Sequence, residues 1–118
     1  MSSTINILTE DILQFRKDRK WEQFHTLKNL MASLNLEASE LLELTQWKTD
    51  EEMTEYMKSS SGKKRIAEEC SDIFIYLLMI CHDCNIDLLD AARKKLEINA
   101  QKYPVENSIG SSKKYTEF

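Results

Sequence analysis

The chain contains two Gly and one Pro among 118 residues, and this scarcity of turn-forming residues strongly limits its possible folds. Sheet proteins of this size need turn residues about every 8–12 positions. An all-β fold is therefore excluded, and an α/β fold is disfavoured. Hydrophobic residues make up 42% and charged residues 31% of the chain, which is typical of a globular protein. We predict one all-α domain over residues 1–118, a bundle of four to five helices with residues 105–118 as a C-terminal tail.

Charge and hydropathy exclude several classes of partner. The net charge is −4, from 20 acidic and 16 basic residues, so the chain lacks the basic surface that nucleic-acid binding requires. No apolar run approaches the roughly 18–20 residues of a membrane span, and the N-terminus is too polar for a signal peptide. We therefore expect a cytoplasmic protein that binds neither nucleic acid nor membrane.

The cysteine pattern agrees with a reducing compartment. The three cysteines, Cys70, Cys81 and Cys84, are odd in number and lie in one predicted helix, which disfavours a disulfide framework. Cys81 and Cys84 have CxxC spacing, but no strand precedes them and no second ligand pair is visible, as a redox motif or a zinc site would need. We expect the thiols to lie in or near the core.

Capping residues and breaks divide the chain into helices. Thr9 resembles an N-cap, Thr49-x-x-Glu52 matches a capping box, and Asp87 precedes a helix that Pro104 must end. The stretch Ser59–Gly62 is the clearest predicted loop. Helices are predicted over about 9–17, 26–47, 49–57, 63–84 and 87–103, with an ordered turn over 18–25.

Two pairs of carboxylates interrupt the apolar faces of the two long helices. Glu37 lies within the apolar sector of the first, and Glu40 lies at its edge one turn later. Glu69 and Asp72 repeat this pattern on the second. Side chains three apart on a helix point the same way, so two facing helices would bring four carboxylates together. A carboxylate facing a core is costly unless it is paired or binds a metal, and an oxygen-only site suits Mg²⁺.

Structural ion pairs are the alternative to a metal site. Arg65 stands one turn before Glu69 and could pair with it, and Lys95 could do so from another helix. Glu43 and Glu68 point further from the apolar stripe and are interpreted as solvated.

A di-iron bundle would also place carboxylates in a helical core. It requires Glu-x-x-His on each of two helices. His25 follows Glu22 at that spacing, but His82 follows Met79, so the second motif is missing.

The carboxylate spacing, Glu37-x-x-Glu40, then 28 residues, then Glu69-x-x-Asp72, resembles the signature of the all-α nucleoside triphosphate pyrophosphohydrolases of the MazG type. Other segments look like the dCTP pyrophosphatase branch of this family, and the similarity runs from about Trp21 to the C-terminus. One departure is Ala38-Ser39, where relatives commonly carry Gly in the second position. The segments are Trp21–His25, Glu37–Leu44 followed by Gln46-Trp47, Lys102–Pro104 and Gly110–Thr116.

The resemblance implies hydrolysis of a nucleoside triphosphate between its α- and β-phosphates, with Mg²⁺ as cofactor. The metal ligands would be Glu37, Glu40, Glu69 and Asp72, and the catalytic carboxylates would be Glu40 and Glu69. The expected substrate is dCTP or a modified dCTP. Alternatives are a broader dNTP or dUTP pyrophosphatase and a catalytically silent helical module that binds nucleotide or metal.

Several ring-bearing side chains are candidates for base recognition. Trp21 and Trp47 could stack on a base, and His25 could hydrogen-bond to it or lie near the sugar or phosphates. Tyr76 lies one turn after Asp72 and could touch the sugar. Core packing is the alternative role for each of these rings.

The last long helix offers a second set of candidates. Lys95, Asn99 and Tyr103 recur at four-residue steps, so one face presents a cation, an amide and a phenol. The resemblance implies that Lys95 and Asn99 contact phosphate or base, whereas a solvated face is the alternative for Lys95.

The core predicted for one chain is thin, which favours self-association. The resemblance implies a homodimer or homotetramer with sites near subunit interfaces. Phe74, Ile75 and Leu78 form an apolar edge that would suit such an interface, although seams within one chain could also absorb them.

Overall fold

A computed structural model describes residues 3–118, and every regular element in that range is helical, which confirms the predicted all-α class. The chain divides into two compact units, the first ending at Asn85 and the second spanning Ile86–Phe118. The single domain remains a prediction. The helices are α1 (Thr4–Asp18), α2 (Leu27–Glu43), α3 (Asp50–Lys58), α4 (Ser60–Asp83), α5 (Leu88–Lys102) and α6 (Val105–Ser108), with a 3₁₀ turn over Tyr115–Glu117.

Helix α4 is the centre of the first unit. It contacts α1, α2 and α3, and its contact with α2 is the most extensive. Leu30 on α2 is completely buried, and the C-terminal part of α4 contributes four consecutive buried residues, Leu78, Met79, Ile80 and Cys81. Leu78 is therefore a core residue, so of the two alternatives for this residue, absorption within one chain is the one found, because this part of α4 is enclosed. Phe74 is exposed and Ile75 half-buried.

Helix α1 begins earlier than predicted. The hydroxyl of Ser3 accepts a hydrogen bond from the Asn6 amide at 3.0 Å and forms the N-cap. Thr9 lies inside the helix, where its hydroxyl donates to the Ile5 carbonyl at 2.8 Å. The predicted cap at Thr9 is wrong because a threonine hydroxyl can also bond to the carbonyl four residues back within a helix.

Helix α2 ends four residues before the predicted Trp47. Its N-cap is Thr26, whose hydroxyl accepts from the Asn29 amide at 3.2 Å. At the other end, the Lys48 ammonium group donates to the Leu44 carbonyl at 2.8 Å, satisfying a carbonyl that the helix leaves open. Trp47 has a left-handed backbone with φ of 65°, which is incompatible with continuing the helix.

The corner between α3 and α4 is tighter than predicted. The capping box of Thr49 and Glu52 opens α3 as expected. Ser59 then ends α3 and caps α4, accepting from the Gly62 amide at 3.0 Å. The predicted loop over 59–62 is wrong because Ser60–Gly62 form the first turn of α4. A Cβ at Gly62 would lie 1.9 Å from the Tyr56 carbonyl oxygen, so this close approach requires glycine.

The second unit contains α5 and the C-terminal segment. Asp87 caps α5 by accepting from the Asp90 amide at 3.1 Å, and the helix ends at Lys102, before Pro104, as predicted. The predicted tail contains α6 and the 3₁₀ turn. Its last residues pack on the end of α5, since the Tyr103 ring lies 5.9 Å from Tyr115 and 5.7 Å from Phe118.

The three cysteines are free. Cys81 is buried, as predicted, whereas Cys70 and Cys84 are exposed, so the expectation of core thiols is wrong for those two. Among residues 3–118, the helices are too short or too polar for any of them to cross a bilayer.

Candidate metal and nucleotide site

The packing of α2 against α4 brings three of the predicted carboxylates together. One oxygen each from Glu37, Glu40 and Glu69 lies within 4.8 Å of the other two. Glu37 and Glu69 are half-buried, and Glu40 is exposed. We call these three residues the carboxylate cluster. The i, i+3 spacing on α2 presents two of its members to the same point on α4.

Asp72, the fourth predicted ligand, lies one turn after Glu69 and is exposed. Its carboxylate is outside the group of converging oxygens, but its charge is near enough to raise the pKa of both Glu37 and Glu69. Its role as a metal ligand remains a prediction.

The cluster opposes its own ionisation. Burial raises the pKa of Glu37 to about 7, and the adjacent carboxyl of Glu40 and the charges of Asp72 and Glu69 act in the same direction. Burial also raises the pKa of Glu69, followed by the effects of Glu40 and Asp72, while the positive charge of Arg65 lowers it. Neighbouring acids in this partly desolvated site therefore raise one another's pKa, and Arg65 opposes the shift at Glu69.

The unpaired oxygens test whether the cluster fits a metal. Oε2 of Glu37 and Oε2 of Glu69 are buried without a hydrogen-bond partner in the described part of the chain. The ion pairs found among residues 3–118 join Arg16 to Asp83, Lys58 to Glu55 and Lys94 to Asp90, so none neutralises the cluster. An oxygen-only donor set with excess negative charge fits a hard divalent cation such as Mg²⁺.

A polar pocket of about 480 Å³ opens beside the cluster. Glu40 and Glu69 line it together with Glu43, Gln46 and Arg65. From the sequence, Glu43 is expected to be solvated, Arg65 is expected only as an ion-pair partner, and Gln46 has no predicted role. The signal for Gln46 was its position beside Trp47 in a family-like segment.

A second pocket, of about 210 Å³, contains three of the predicted ring-bearing residues. The Trp21 and His25 rings lie 6.0 Å apart, and the His25 and Tyr76 rings lie 6.5 Å apart, both edge to face. Phe15, which is not among the predicted site residues, lies 5.7 Å from Trp21, measured between ring centroids. We call this cavity the aromatic pocket. Its full lining is Ile12, Phe15, Arg16, Trp21, His25, Asp72, Ile75, Tyr76 and Met79.

Asp72 links the two parts of the site. It lines the aromatic pocket and follows Glu69 of the carboxylate cluster by one turn of α4. Tyr76 follows by one further turn. Helix α4 therefore carries one member of the carboxylate cluster, the linking acid and one wall of the aromatic pocket in sequence, which places this pocket next to an oxygen-rich centre.

Backbone hydrogen bonds hold the turn that carries Trp21 and His25. The Trp21 amide donates to the Arg16 carbonyl at 3.1 Å, and the His25 amide donates to the Trp21 carbonyl at 3.1 Å. Lys20 takes a left-handed conformation with φ of 54°, which reverses the chain after α1. The ordered turn predicted over 18–25 is confirmed.

His25 is held in its neutral form. Burial lowers its pKa, the charge of Arg16 lowers it further, and Asp83 opposes the shift. Nδ1 of His25 is buried with no partner in the range 3–118. A neutral imidazole offers one donor and one acceptor, which suits recognition of a polar ring edge.

The remaining predicted residues lie outside these two cavities. Trp47 is 90% exposed, on the turn after α2, and does not line the aromatic pocket. Lys95, Asn99 and Tyr103 lie on α5 in the second unit, where Lys95 is exposed, Asn99 is half-buried and the Asn99 carbonyl accepts from the Tyr103 amide at 2.9 Å. Their roles remain predictions.

Comparison with known proteins identifies the class. Residues 32–118 match the model of the MazG-like family. A crystal structure of a pyrophosphatase from Archaeoglobus fulgidus is 35% identical, with a TM-score of 0.81 over 88% of this chain and 95% of that one. The chain belongs to the MazG-like family, as the sequence predicted.

Curated relatives add a branch. The chain is 43% identical over 104 residues to dCTP pyrophosphatase 1 of Bos taurus and 42% identical over 104 residues to that of Homo sapiens, covering 88% of this chain in each case. The matched region spans 62% and 61% of the length of these relatives.

Proposed function

We propose that the protein is a Mg²⁺-dependent nucleoside triphosphate pyrophosphohydrolase. It would convert dCTP or a modified dCTP to the monophosphate and pyrophosphate, and so remove unwanted nucleotides from the pool. The observation that carries the proposal is the convergence of the Glu37, Glu40 and Glu69 oxygens within 4.8 Å beside an aromatic pocket. Similarity to dCTP pyrophosphatase 1 over 88% of the chain supports the substrate.

The residues that would hold Mg²⁺ are Glu37, Glu40, Glu69 and Asp72. The unpartnered buried oxygens of Glu37 and Glu69 support this assignment. When bound, Mg²⁺ supplies neutralisation of the triphosphate charge and Lewis-acid activation of water.

The protein's own part in the reaction falls to Glu40 and Glu69. Both line the 480 Å³ polar pocket, where their carboxylates can orient a water molecule and accept its proton during attack on the α-phosphorus. Arg65 in the same pocket supplies a positive charge near the departing phosphates.

Base recognition is assigned to the aromatic pocket. Trp21 and Tyr76 supply ring faces and edges, and neutral His25 supplies hydrogen bonding without adding charge. Trp47 would stack on the nucleotide from its exposed turn. The family resemblance makes Lys95, Asn99 and Tyr103 further candidates for contacts to phosphate or base.

Self-association is part of the proposal. Leu27, Met31, Leu42 and Phe74 are exposed apolar residues on α2 and α4, and their number supports a homodimer or homotetramer. A cytoplasmic location without nucleic-acid partners is supported by the net charge of −4 and by three free thiols.

The experiment is pyrophosphate release with Mg²⁺ across the eight common nucleoside triphosphates and 5-methyl-dCTP. Glu69→Gln should abolish release, while the matched control Glu68→Gln, an exposed neighbour on α4, should retain it. Strongest release from the cytosine deoxynucleotides supports the proposal. Equal release from all substrates supports a broad dNTP or dUTP pyrophosphatase instead. A Mg²⁺–nucleotide complex that raises Tm without release of pyrophosphate supports a silent binding module.

A further inference from the structure

Among residues 3–118, one charged residue is almost completely buried. Arg16 on α1 is 8% exposed. Its Nη1 and Nη2 groups donate to the two carboxylate oxygens of Asp83 at 3.1 and 3.2 Å. Arg16 lies in the last turn of α1 and Asp83 is the last residue of α4, so this bidentate pair joins the C-terminal ends of the two helices.

The pair is poorly suited to stabilising the fold. Nε of Arg16 is buried and has no hydrogen-bond partner within the described chain. The Asp83 side chain is 28% exposed, so the loss of hydration falls mainly on the guanidinium, and a partly buried ion pair offsets that loss only when its remaining donors are also satisfied. The planar two-bond contact instead fixes the orientation of both side chains. We infer a geometric role for the pair.

That geometry controls the aromatic pocket. The Arg16 carbonyl accepts the Trp21 amide, so the turn with Trp21 and His25 is attached directly at Arg16. Tyr76, on the opposite wall, belongs to α4, the helix that Asp83 ends. The Arg16 side chain lines the pocket itself. The Arg16–Asp83 contact therefore sets the distance between the two walls of the aromatic pocket, of which one carries His25 and the other carries Tyr76.

We propose that Arg16 and Asp83 are positioning residues for nucleotide-base selection, acting by holding the Trp21–His25 turn against the Tyr76 wall. The proposal rests on the proposed function, because it assigns the base to the aromatic pocket. Displacing one wall of a binding site can cost large factors in productive binding. The effect should fall on KM and on base preference, since the carboxylate cluster is built by α2 and the middle of α4.

The kinetic test uses Arg16→Lys and Asp83→Asn, with kcat and KM measured for dCTP and dUTP under Mg²⁺. Arg16→Lys keeps the charge but loses the two-pronged contact. Each variant should raise KM for dCTP by about tenfold or more and reduce the preference for dCTP over dUTP, with kcat and calorimetric Mg²⁺ binding close to those of the wild type. The charge-swapped double variant Arg16→Asp/Asp83→Arg should recover part of the preference.

The matched control is Lys58→Gln, which removes the exposed pair with Glu55 on α3 and should change neither KM nor preference. A uniform fall in kcat with unchanged base preference overturns the inference. A rise in KM for dCTP with a reduced base preference in the Lys58→Gln control also overturns the inference.

A readout without turnover separates this inference from the proposed function. Trp47→Phe leaves Trp21 as the single tryptophan of the chain, and acrylamide quenching then reports on the turn. Adding Arg16→Lys should increase quenching of Trp21, and unchanged quenching overturns the inference even when the wild type hydrolyses dCTP. If quenching of Trp21 increases but the wild type hydrolyses no nucleotide, the proposed function fails while the positional effect on Trp21 stands.

Discussion

The carboxylate cluster and the Arg16–Asp83 pair both place charged groups in partly buried surroundings, but they balance charge differently. In the cluster, three glutamates converge within 4.8 Å and two of their oxygens lack partners in the described chain. In the pair, a guanidinium meets a carboxylate through two hydrogen bonds. Like charges held together are unfavourable without a ligand. The carboxylate cluster therefore has the charge balance of a cation-binding site, whereas the Arg16–Asp83 pair has that of a structural contact between two helices.

The largest expected effect comes from removing one charge from the cluster. Glu37→Gln should reduce pyrophosphate release by at least about 100-fold, because loss of even an outer-shell partner of a metal costs about 10–100-fold. In EDTA at pH 8 the same variant should unfold at a higher temperature than the wild type, since a repulsive charge is gone. Steady-state kinetics and thermal melts measure both. A variant that is inactive and also less stable in EDTA contradicts the interpretation of the cluster as a repulsive site.

The second prediction concerns the pH dependence of the metal-free protein. The pKa of Glu37 is raised to about 7 in the folded state, above the ordinary value near 4.3 of an unfolded chain. Between those values the folded state binds more protons, so this group lowers stability as pH rises from about 4.5 to 7. The difference in Tm between Glu37→Gln and wild type in EDTA should therefore grow with pH over that window. A constant difference would show that the Glu37 pKa is ordinary.

The Arg16–Asp83 region should show the opposite slope. Burial and the Arg16 charge lower the pKa of His25, so protonation favours the unfolded state. The stability contributed by neutral His25 is complete above about pH 6.5 and is lost as pH falls through its lowered folded value. His25→Gln should remove this acid-side loss, measured as a Tm difference from wild type between pH 7 and 5. A difference that does not change over that range would refute the lowered pKa.

Local capping signals explain which helix ends were predictable. Two predicted caps are confirmed, Thr49 with Glu52 on α3 and Asp87 on α5. They were predictable because these hydrogen bonds span only three residues. Thr9 has the same chemistry but bonds backward inside α1. The serines at 59–61 resemble a loop, yet Ser59 caps α4 directly because Gly62 admits the Tyr56 carbonyl.

Whether a contact in the site was predictable depends on how far apart its residues lie in the sequence. The approach of Glu37, Glu40 and Glu69 was predictable because a three-residue spacing fixes a common face on a helix. Asp72 has the same spacing from Glu69, but its carboxylate lies outside the converging oxygens, and its role as a ligand remains a prediction. The Arg16–Asp83 contact joins residues 67 positions apart. Neither residue belongs to a sequence pattern from which its partner could be predicted. Phe15 was not predicted, because an apolar residue on a helix does not reveal whether its face meets a core or a cavity.

The smallest expected effect on stability comes from a strained backbone rather than from a buried charge. Trp47 is 90% exposed and has φ of 65°, a conformation that costs a non-glycine residue about 1–2 kcal/mol. Trp47→Gly relieves that strain but gives the unfolded chain more freedom, so the free energy of unfolding should change by less than about 1 kcal/mol. If Trp47 stacks on the nucleotide as proposed, KM for dCTP should nevertheless rise when the ring is removed. Urea unfolding and kinetics measure the two effects, with Trp47→Phe as the control that keeps a ring. A large loss of stability would mean that Trp47 is a packing residue, whereas unchanged stability with unchanged KM would remove it from the nucleotide site.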